Sequence, residues 1–214
     1  MTDIQLEQVL PGDIERRRFE IIQEELSLRG IYLEPENEMV IKRAIHTTAD
    51  FDYAQNLVFS GQAVKRGTEA LKAGAVIVTD TNMGLSGINK KRLSALGGEA
   101  FCFMADEDVA REAKTRQVTR ATVSMEHAAK IDKPVIFAVG NAPTALISLY
   151  ELMQKSDWRP AFIIGVPVGF VNVEAAKELI LKTDVPHIIN RGRKGGSNVA
   201  AAICNALIYQ LTRK

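Results

Sequence analysis

The sequence has 214 residues, of which 46% are hydrophobic and 25% are charged, and its formal net charge is +1. The near-neutral charge argues against a dedicated nucleic-acid-binding protein, which normally carries a large basic patch, but it leaves room for a local basic site. The length predicts one folded domain spanning residues 1–214, with a core that needs neither disulfides nor metals.

Two amphipathic helices are predicted at the start of the chain, over residues 13–28 and 36–46. Each places its apolar side chains on one broad face. Those faces must be buried, either against the rest of the domain or against a second subunit.

From residue 57 onward, short apolar runs alternate with helical patterns. The runs contain few polar side chains, which is typical of strands that helices cover on both faces of a parallel sheet. The predicted strands are residues 57–59, 75–79, 99–103, 134–139, 161–164 and 186–189. The main helices predicted between and after them are residues 61–73, 143–154, 173–182 and 197–212. The alternation predicts a three-layer α/β fold, with a mainly parallel, Rossmann-like sheet flanked by helices and preceded by the two N-terminal helices.

The cysteines and the apolar runs indicate the compartment. Cys102 and Cys204 are far apart, lie in apolar surroundings and form no CxxC motif, so we expect free thiols in a reducing environment. The chain starts without the apolar stretch of a signal peptide, and no apolar run approaches the length of a membrane span. A cytoplasmic protein without membrane contact is therefore predicted.

Four segments that follow predicted strands are rich in glycine and polar residues. They are residues 80–84, 140–144, 165–170 and 191–197. Ligands of open α/β sheets bind at the carboxyl ends of the strands, and glycine lets the backbone approach a ligand closely. The four loops therefore predict a wide ligand cleft, although the glycines could also serve only to turn strands into helices.

Residues 191–197 are the most informative of these loops. They read Arg-Gly-Arg-Lys-Gly-Gly-Ser, with a helix predicted to start at Ser197. Backbone N–H groups at a helix start favour anions, and guanidinium groups bind carboxylates or phosphates in pairs of hydrogen bonds. We predict an anion site here, the alternative being a solvated basic turn. The loop does not have P-loop spacing, and no GxGxxG motif follows the first predicted strand. The sequence therefore gives no support for a nucleotide site.

His46 is the candidate acid. It lies at the predicted end of the second helix, where the partial negative charge of the helix C-terminus favours the protonated imidazole. Asp50 is close enough in sequence to orient the ring. A capping or packing role is the alternative, and it applies more strongly to His127 and His187. The histidines show no metal-ligand spacing, so no metal is predicted.

Six groups of residues together resemble the precorrin-8X and cobalt-precorrin-8 methylmutases. They are residues 44–50 with 56–60, residues 80–83, residues 119–120, residues 140–146, residues 167–171 and residues 191–197. They occur in the order and spacing of that family, and the resemblance runs from about residue 10 to the end of the chain.

The resemblance implies an isomerase of corrin biosynthesis. Such an enzyme moves a methyl group between adjacent carbons of ring C of a contracted tetrapyrrole, giving hydrogenobyrinate or cobyrinate, with no cofactor. It implies a homodimer with the site near the subunit interface, and it makes His46 the catalytic acid. Together with the loops, it gives as candidate substrate-binding residues Arg17, Arg18, Thr47, Asp80, Met83, Thr119, Arg120, Asn141, Gly169, Phe170, Arg191, Arg193 and Ser197.

One departure from the family bears on the site. Arg18 precedes Phe19 where the family usually has a serine, so Arg18 either binds a substrate carboxylate or loses that contact. The sequence also leaves open whether the substrate contains cobalt. The alternative function is a non-catalytic protein that binds a tetrapyrrole or another anionic metabolite on the same fold. A nucleotide-dependent Rossmann enzyme is disfavoured by the missing phosphate motif.

Overall fold

A computed structural model describes residues 7–212 of the chain. The helices are α1 Ile14–Leu28, α2 Glu38–Thr48, α3 Tyr53–Asn56, α4 Ala63–Lys72, α5 Asn82–Gly87, α6 Lys90–Ser94, α7 Glu107–Arg116, α8 Arg120–Ala128, α9 Pro143–Lys155, α10 Val173–Leu181 and α11 Ser197–Thr212. The strands are β1 Leu57–Phe59, β2 Val76–Thr79, β3 Ala100–Phe101, β4 Val135–Val139, β5 Phe162–Gly165 and β6 His187–Asn190.

The strands form one sheet in the order β1-β6-β5-β4-β2-β3. All neighbouring pairs from β6 to β3 are parallel, so the predicted α/β fold with a mainly parallel sheet is confirmed. β1 alone among the described strands runs antiparallel, with Leu57 opposite Asn190 on β6. β3 is shorter than the predicted run 99–103, because only Ala100 and Phe101 pair with β2 at this edge of the sheet.

Helices cover both faces of the sheet. Side chains such as Ile77, Ile136 and Phe162 point into a core shared with α2, α4 and α11, whereas Val78 and Phe137 point into a core shared with α8, α9 and α10. Successive residues of one strand thus enter opposite cores, as the alternation of side chains along a strand requires. Burial on both faces explains why the strands read as continuous apolar runs.

The N-terminal helices belong to the first of these layers. α2 packs against α11, which buries Val40, Ala44 and Ile45, and α1 adds Ile22 and Leu26 to the same core. The apolar faces that the sequence left without an assigned partner are therefore largely covered by the chain itself.

A buried lysine on α10 forms hydrogen bonds to the loop after β6. Lys177 on α10 is 1% exposed, and its Nζ donates hydrogen bonds to the carbonyl oxygens of Gly192 at 2.7 Å and Lys194 at 3.0 Å. Burial disfavours the charged amine and lowers the pKa of Lys177 from 10.5 to about 8. A neutral amine still has two N–H bonds, so both contacts survive loss of the proton.

Replacing Lys177 tests this anchor. Between pH 8 and 10.5 the unfolded chain holds a proton that folded Lys177 has released, so this residue makes folding more favourable as the pH rises. We expect the free energy of unfolding of the wild type relative to Lys177→Met to grow by on the order of 3 kcal/mol between pH 7 and pH 10.5, measured in urea. Lys182→Met, at an exposed lysine just after α10, is the control and should show no such trend. A difference independent of pH contradicts the lowered pKa.

Candidate active site

The carboxyl ends of the parallel strands gather the predicted loops at one edge of the sheet. The direction of the strand order reverses between β2 and β4. The helices that follow these two strands lie in different layers, because α5 packs on α11 whereas α9 packs on α8 and α10. Such a reversal opens a crevice at the strand ends, where ligands of this architecture usually bind.

Asp80 ties the two sides of this crevice together. Its carboxylate accepts hydrogen bonds from the backbone N–H groups of Gly140 at 2.9 Å, Asn141 at 2.7 Å and Ala142 at 2.6 Å. The side chain is buried, and burial raises the pKa of its carboxyl while the three N–H donors oppose that effect. The structure therefore turns Asp80 toward the neighbouring loop and away from solvent.

Two of the predicted cleft glycines serve contacts between loops. A Cβ atom on Gly140 would lie 2.6 Å from the Cα of Ser197, and one on Gly195 would lie 2.0 Å from the carbonyl oxygen of Val166. The hydroxyl of Ser197 also shares a hydrogen bond of 2.7 Å with that of Thr81. Glycine is needed at these two positions because the loops after β4, β5 and β6 touch one another.

His46 lies in the last turn of α2, half-buried beside α1. The Phe19 ring stacks on the imidazole, with 5.8 Å between the ring centroids and 18° between the planes. The Arg18 side chain reaches the same ring, with its Nη1 3.4 Å from Nε2 of His46. The Arg43 guanidinium lies 4.9 Å from the Phe19 centroid and forms an ion pair with Glu15.

These surroundings lower the pKa of His46. Burial is the largest cause, followed by the positive charges of Arg18 and Arg43, and Glu15 acts weakly in the opposite direction. The pKa is therefore shifted in the direction opposite to the one expected from the helix C-terminus, because burial and two nearby cations act against the protonated form. The expectation that Asp50 orients the ring is wrong, since its carboxylate binds Lys194 at 2.6 Å.

An open cavity of about 430 Å³ adjoins His46. Its wall is mostly apolar, and it also includes the imidazole and the charged side chains of Arg18 and Glu25. The apolar lining residues are Ile21, Ile22, Ile45, Ala49 and Phe51. Glu25 also pairs with Arg29 at 3.2 Å, so its charge is partly compensated. A mainly apolar wall with a few polar groups is typical of a small-molecule site.

The cavity and the basic loop lie on the same edge of the sheet. Lys194 donates hydrogen bonds of 2.6 Å to both Asp50 and Asp52, which follow α2, and it lowers the pKa of Asp50. The backbone N–H of Arg191 donates to the carbonyl of Asn56 at 2.9 Å. These contacts place the end of α2 against the loop that holds Arg191 and Arg193.

The arginines of the basic loop already have acidic partners on α10. Arg193 donates to Glu174 at 2.8 Å, and Arg191 lies 3.8 Å from Glu178. The Arg193 guanidinium also lies 5.7 Å from the ring centroid of Phe170, whose side chain is 82% exposed. An incoming anion must therefore compete with carboxylates of the protein. The sequence-based prediction of an anion site did not include these competitors.

The other predicted residues are distributed along this edge. Thr119 caps α8, and its hydroxyl forms a hydrogen bond of 3.1 Å with that of Thr144. Arg120 follows it on the first turn of α8 and is exposed. Met83 and Asn141 are exposed, and Thr47 is half-buried next to His46. Arg17 forms ion pairs with Glu7 at 2.7 Å and Glu24 at 3.3 Å.

Sequence reasoning missed several residues that shape the site. Phe19 was assigned only to an apolar helix face, and Arg43, Glu15 and Asp52 were not singled out, yet all four lie around His46 or the basic loop. The only local signal was the clustering of arginines and glutamates between residues 15 and 25, which a solvated helix face also shows.

No group of three or more His, Cys, Asp or Glu in residues 7–212 is arranged to hold a metal ion. In the same part of the chain, no helix is both long and apolar enough to cross a membrane.

Comparisons with known proteins bear on the whole chain. The precorrin-8X methylmutase family model matches residues 13–210. The cobalt-precorrin-8 methylmutase of Leptospira interrogans is 43% identical, covering 96% of this chain and 96% of that protein. The enzyme of the same name from Salmonella typhimurium is 43% identical, covering 94% and 96%.

A solved structure of precorrin-8X methyl mutase from Thermus thermophilus superposes with a TM-score of 0.84 at 38% identity, covering 94% of this chain and 98% of that chain. The family match over residues 13–210 includes His46 and the loops that build this edge of the sheet. The chain therefore belongs to the precorrin-8X methylmutase family, and it is an isomerase of cobalamin biosynthesis.

Proposed function

We propose that this isomerase moves a methyl group between adjacent carbons of ring C of precorrin-8X or cobalt-precorrin-8, giving hydrogenobyrinate or cobyrinate. One carbon–carbon bond breaks as its neighbour forms, so the reaction needs no electron donor or acceptor and we propose no cofactor. The observation that carries the proposal is the position of His46, on the wall of an apolar cavity beside a basic loop. The apolar wall suits a macrocycle edge, and the basic loop suits its carboxylates.

His46 is the proposed catalytic acid. It donates a proton or a hydrogen bond to the macrocycle and so favours the double-bond system of the rearranged product. The stacked Phe19 ring holds the imidazole plane, and the cavity excludes part of the surrounding water, which strengthens electrostatic interactions there.

The proposed binding surface follows the strand ends. Direct contact is proposed for Arg18, Thr47, Met83, Thr119, Arg120, Asn141, Gly169, Phe170, Arg191 and Arg193. Asp80 and Ser197 act indirectly, because their polar atoms hold the loops after β4 and β2. A substrate contact is least supported for Arg17, because its guanidinium already forms ion pairs with two glutamates.

Replacing His46 tests the catalytic role. We expect His46→Ala to lose methyl migration by about 10²–10⁴-fold, because a positioned proton donor contributes this much to rate. Turnover is followed by the visible spectrum with the metal-free and the cobalt-containing substrate, which also shows which form is used. His127→Ala is the matched control, since His127 bonds Glu112 on α7 at 3.2 Å. Turnover of His46→Ala within a few-fold of wild type favours a non-catalytic binding role.

Replacing arginines tests the carboxylate contacts. Arg120→Ala and Arg193→Ala are each expected to weaken product binding by about tenfold or more, because a hydrogen bond to a charged group contributes about 1.5–3 kcal/mol. Glu174→Gln should instead tighten binding, since it removes the carboxylate that competes for Arg193. The assay is calorimetric titration at low and high salt, with exposed Arg16→Ala as the control. Equal affinities across the set mean that the basic loop is only a solvated turn.

A homodimer is proposed for the enzyme in solution. The N-terminal helices do not supply the main reason, because the chain buries most of their apolar faces. Support comes instead from large apolar side chains left exposed beside the site, Phe170 at 82% and Val171 at 78%. Side chains of this kind beside a cleft suit a covering subunit or the substrate. A cytoplasmic location is proposed because both cysteines are free thiols.

Light scattering tests the dimer. At micromolar concentration we expect a mass near twice the 23.5 kDa of one chain, and Val171→Glu should lower it by placing a charge in the contact. The exposed substitution Val118→Glu is the control. A fully active species with the mass of one chain contradicts both the dimer and its part in the site.

A further inference from the structure

The ring nitrogen of His46 that faces Arg18 is a hydrogen-bond acceptor. A guanidinium has donors only, so the contact between Nη1 of Arg18 and Nε2 of His46 requires a lone pair on that nitrogen. An imidazolium carries hydrogens on both ring nitrogens and cannot accept this bond. With Arg18 in this position, the geometry favours a neutral His46 whose hydrogen is on Nδ1, so that Nε2 has no proton to give.

Arg18 is also the cation near His46 that lacks a carboxylate partner in the described part of the chain. On α2, Arg43 is paired with Glu15 of α1, and the negative charge of Glu15 opposes part of the effect of Arg43 on the imidazole. On α1, Glu25 is paired with Arg29, and beyond the end of α2 Lys194 is paired with Asp50 and Asp52. The charge of Arg18 is thus the one that an incoming ligand can most readily compensate.

We propose that a carboxylate of the substrate converts His46 into an acid by drawing the Arg18 guanidinium away from its Nε2. The proposal rests on the function proposed above and adds the step that prepares the catalyst. A carboxylate and a guanidinium form two parallel hydrogen bonds, which outcompete a single long bond to an imidazole. Nε2 then loses its donor, the positive charge beside it is neutralised, and His46 takes one proton from the solvent.

The proton balance of this step is simple. Neutral His46 and one proton from water give the imidazolium, and the substrate carboxylate stays ionised in its pair with Arg18. Binding therefore takes up one proton, and the acid forms only where a carboxylate has reached Arg18. Arg18 thus binds substrate and also controls the protonation of its neighbour.

The first arm of the test uses the protein alone. Nuclear magnetic resonance of ring-labelled histidine follows the three histidines through a pH titration, with His46→Gln assigning the signal. We expect an acceptor-type Nε2 resonance for His46 in the wild type and an upward shift of its pKa in Arg18→Met. Arg16→Met removes an equal charge from the same helix, where Arg16 pairs with Asp13, and should leave the signal unmoved. A proton on Nε2 in the ligand-free wild type at pH 7, or no shift in Arg18→Met, overturns the proposal.

The second arm adds the proposed product, hydrogenobyrinate. Calorimetric titration at pH 7 in two buffers of different ionisation enthalpy measures the protons bound. We expect net proton uptake by the wild type and none by His46→Gln, with binding to Arg18→Met weaker by about tenfold and also without uptake. Binding without uptake overturns the switch but leaves the proposed function standing. Failure of the wild type to bind the product removes the proposed function and the substrate-driven step together, while the first arm still decides the coupling of Arg18 to His46.

Discussion

The antiparallel pairing of β1 with β6 is the constraint on which the site depends. Because β1 runs opposite to its neighbour, its first residue Leu57 lies beside the last residue of β6, Asn190. The helices that precede β1 therefore end at the carboxyl edge of the parallel strands. Had β1 been parallel, α2 would have ended at the other edge, and His46 would lie far from the loops that hold the arginines.

The apolar runs were sufficient to predict the sheet and its covering helices, since burial on both faces leaves a direct trace in the sequence. Helices α5 and α6 were missed because six and five residues are too few for a period to emerge. α7 was missed because it buries only Val109 and Ala113 among its ten residues. The sequence also could not say that β1 is antiparallel, because a three-residue edge strand carries no signal of direction.

The candidate site was predicted in position but not in its electrostatics. Arg193 and the strand-end loops could be identified because local sequence shows where strands end, whereas His46 was singled out as the acid by the family resemblance. The protonation of His46 could not, since Arg18 approaches it from 28 positions away in the chain. Asp80 was expected to face a ligand because it follows a strand, yet its partners come from a loop 60 residues later. Contacts of this range depend on the packing of α1 on α2 and of β2 beside β4.

Asp80 also bears on what this architecture can adopt as a ligand. In open sheets of this type, the crevice at the reversal of strand order is the usual seat of nucleotide phosphates. Here a carboxylate bridges that crevice and consumes the backbone donors that a phosphate needs. Loss of Asp80 would leave the buried N–H group of Gly140 without its partner, at a cost of about 1–3 kcal/mol. The residue that keeps these loops together thus occupies the usual phosphate position, while His46 and the basic loop lie toward β6 and β1.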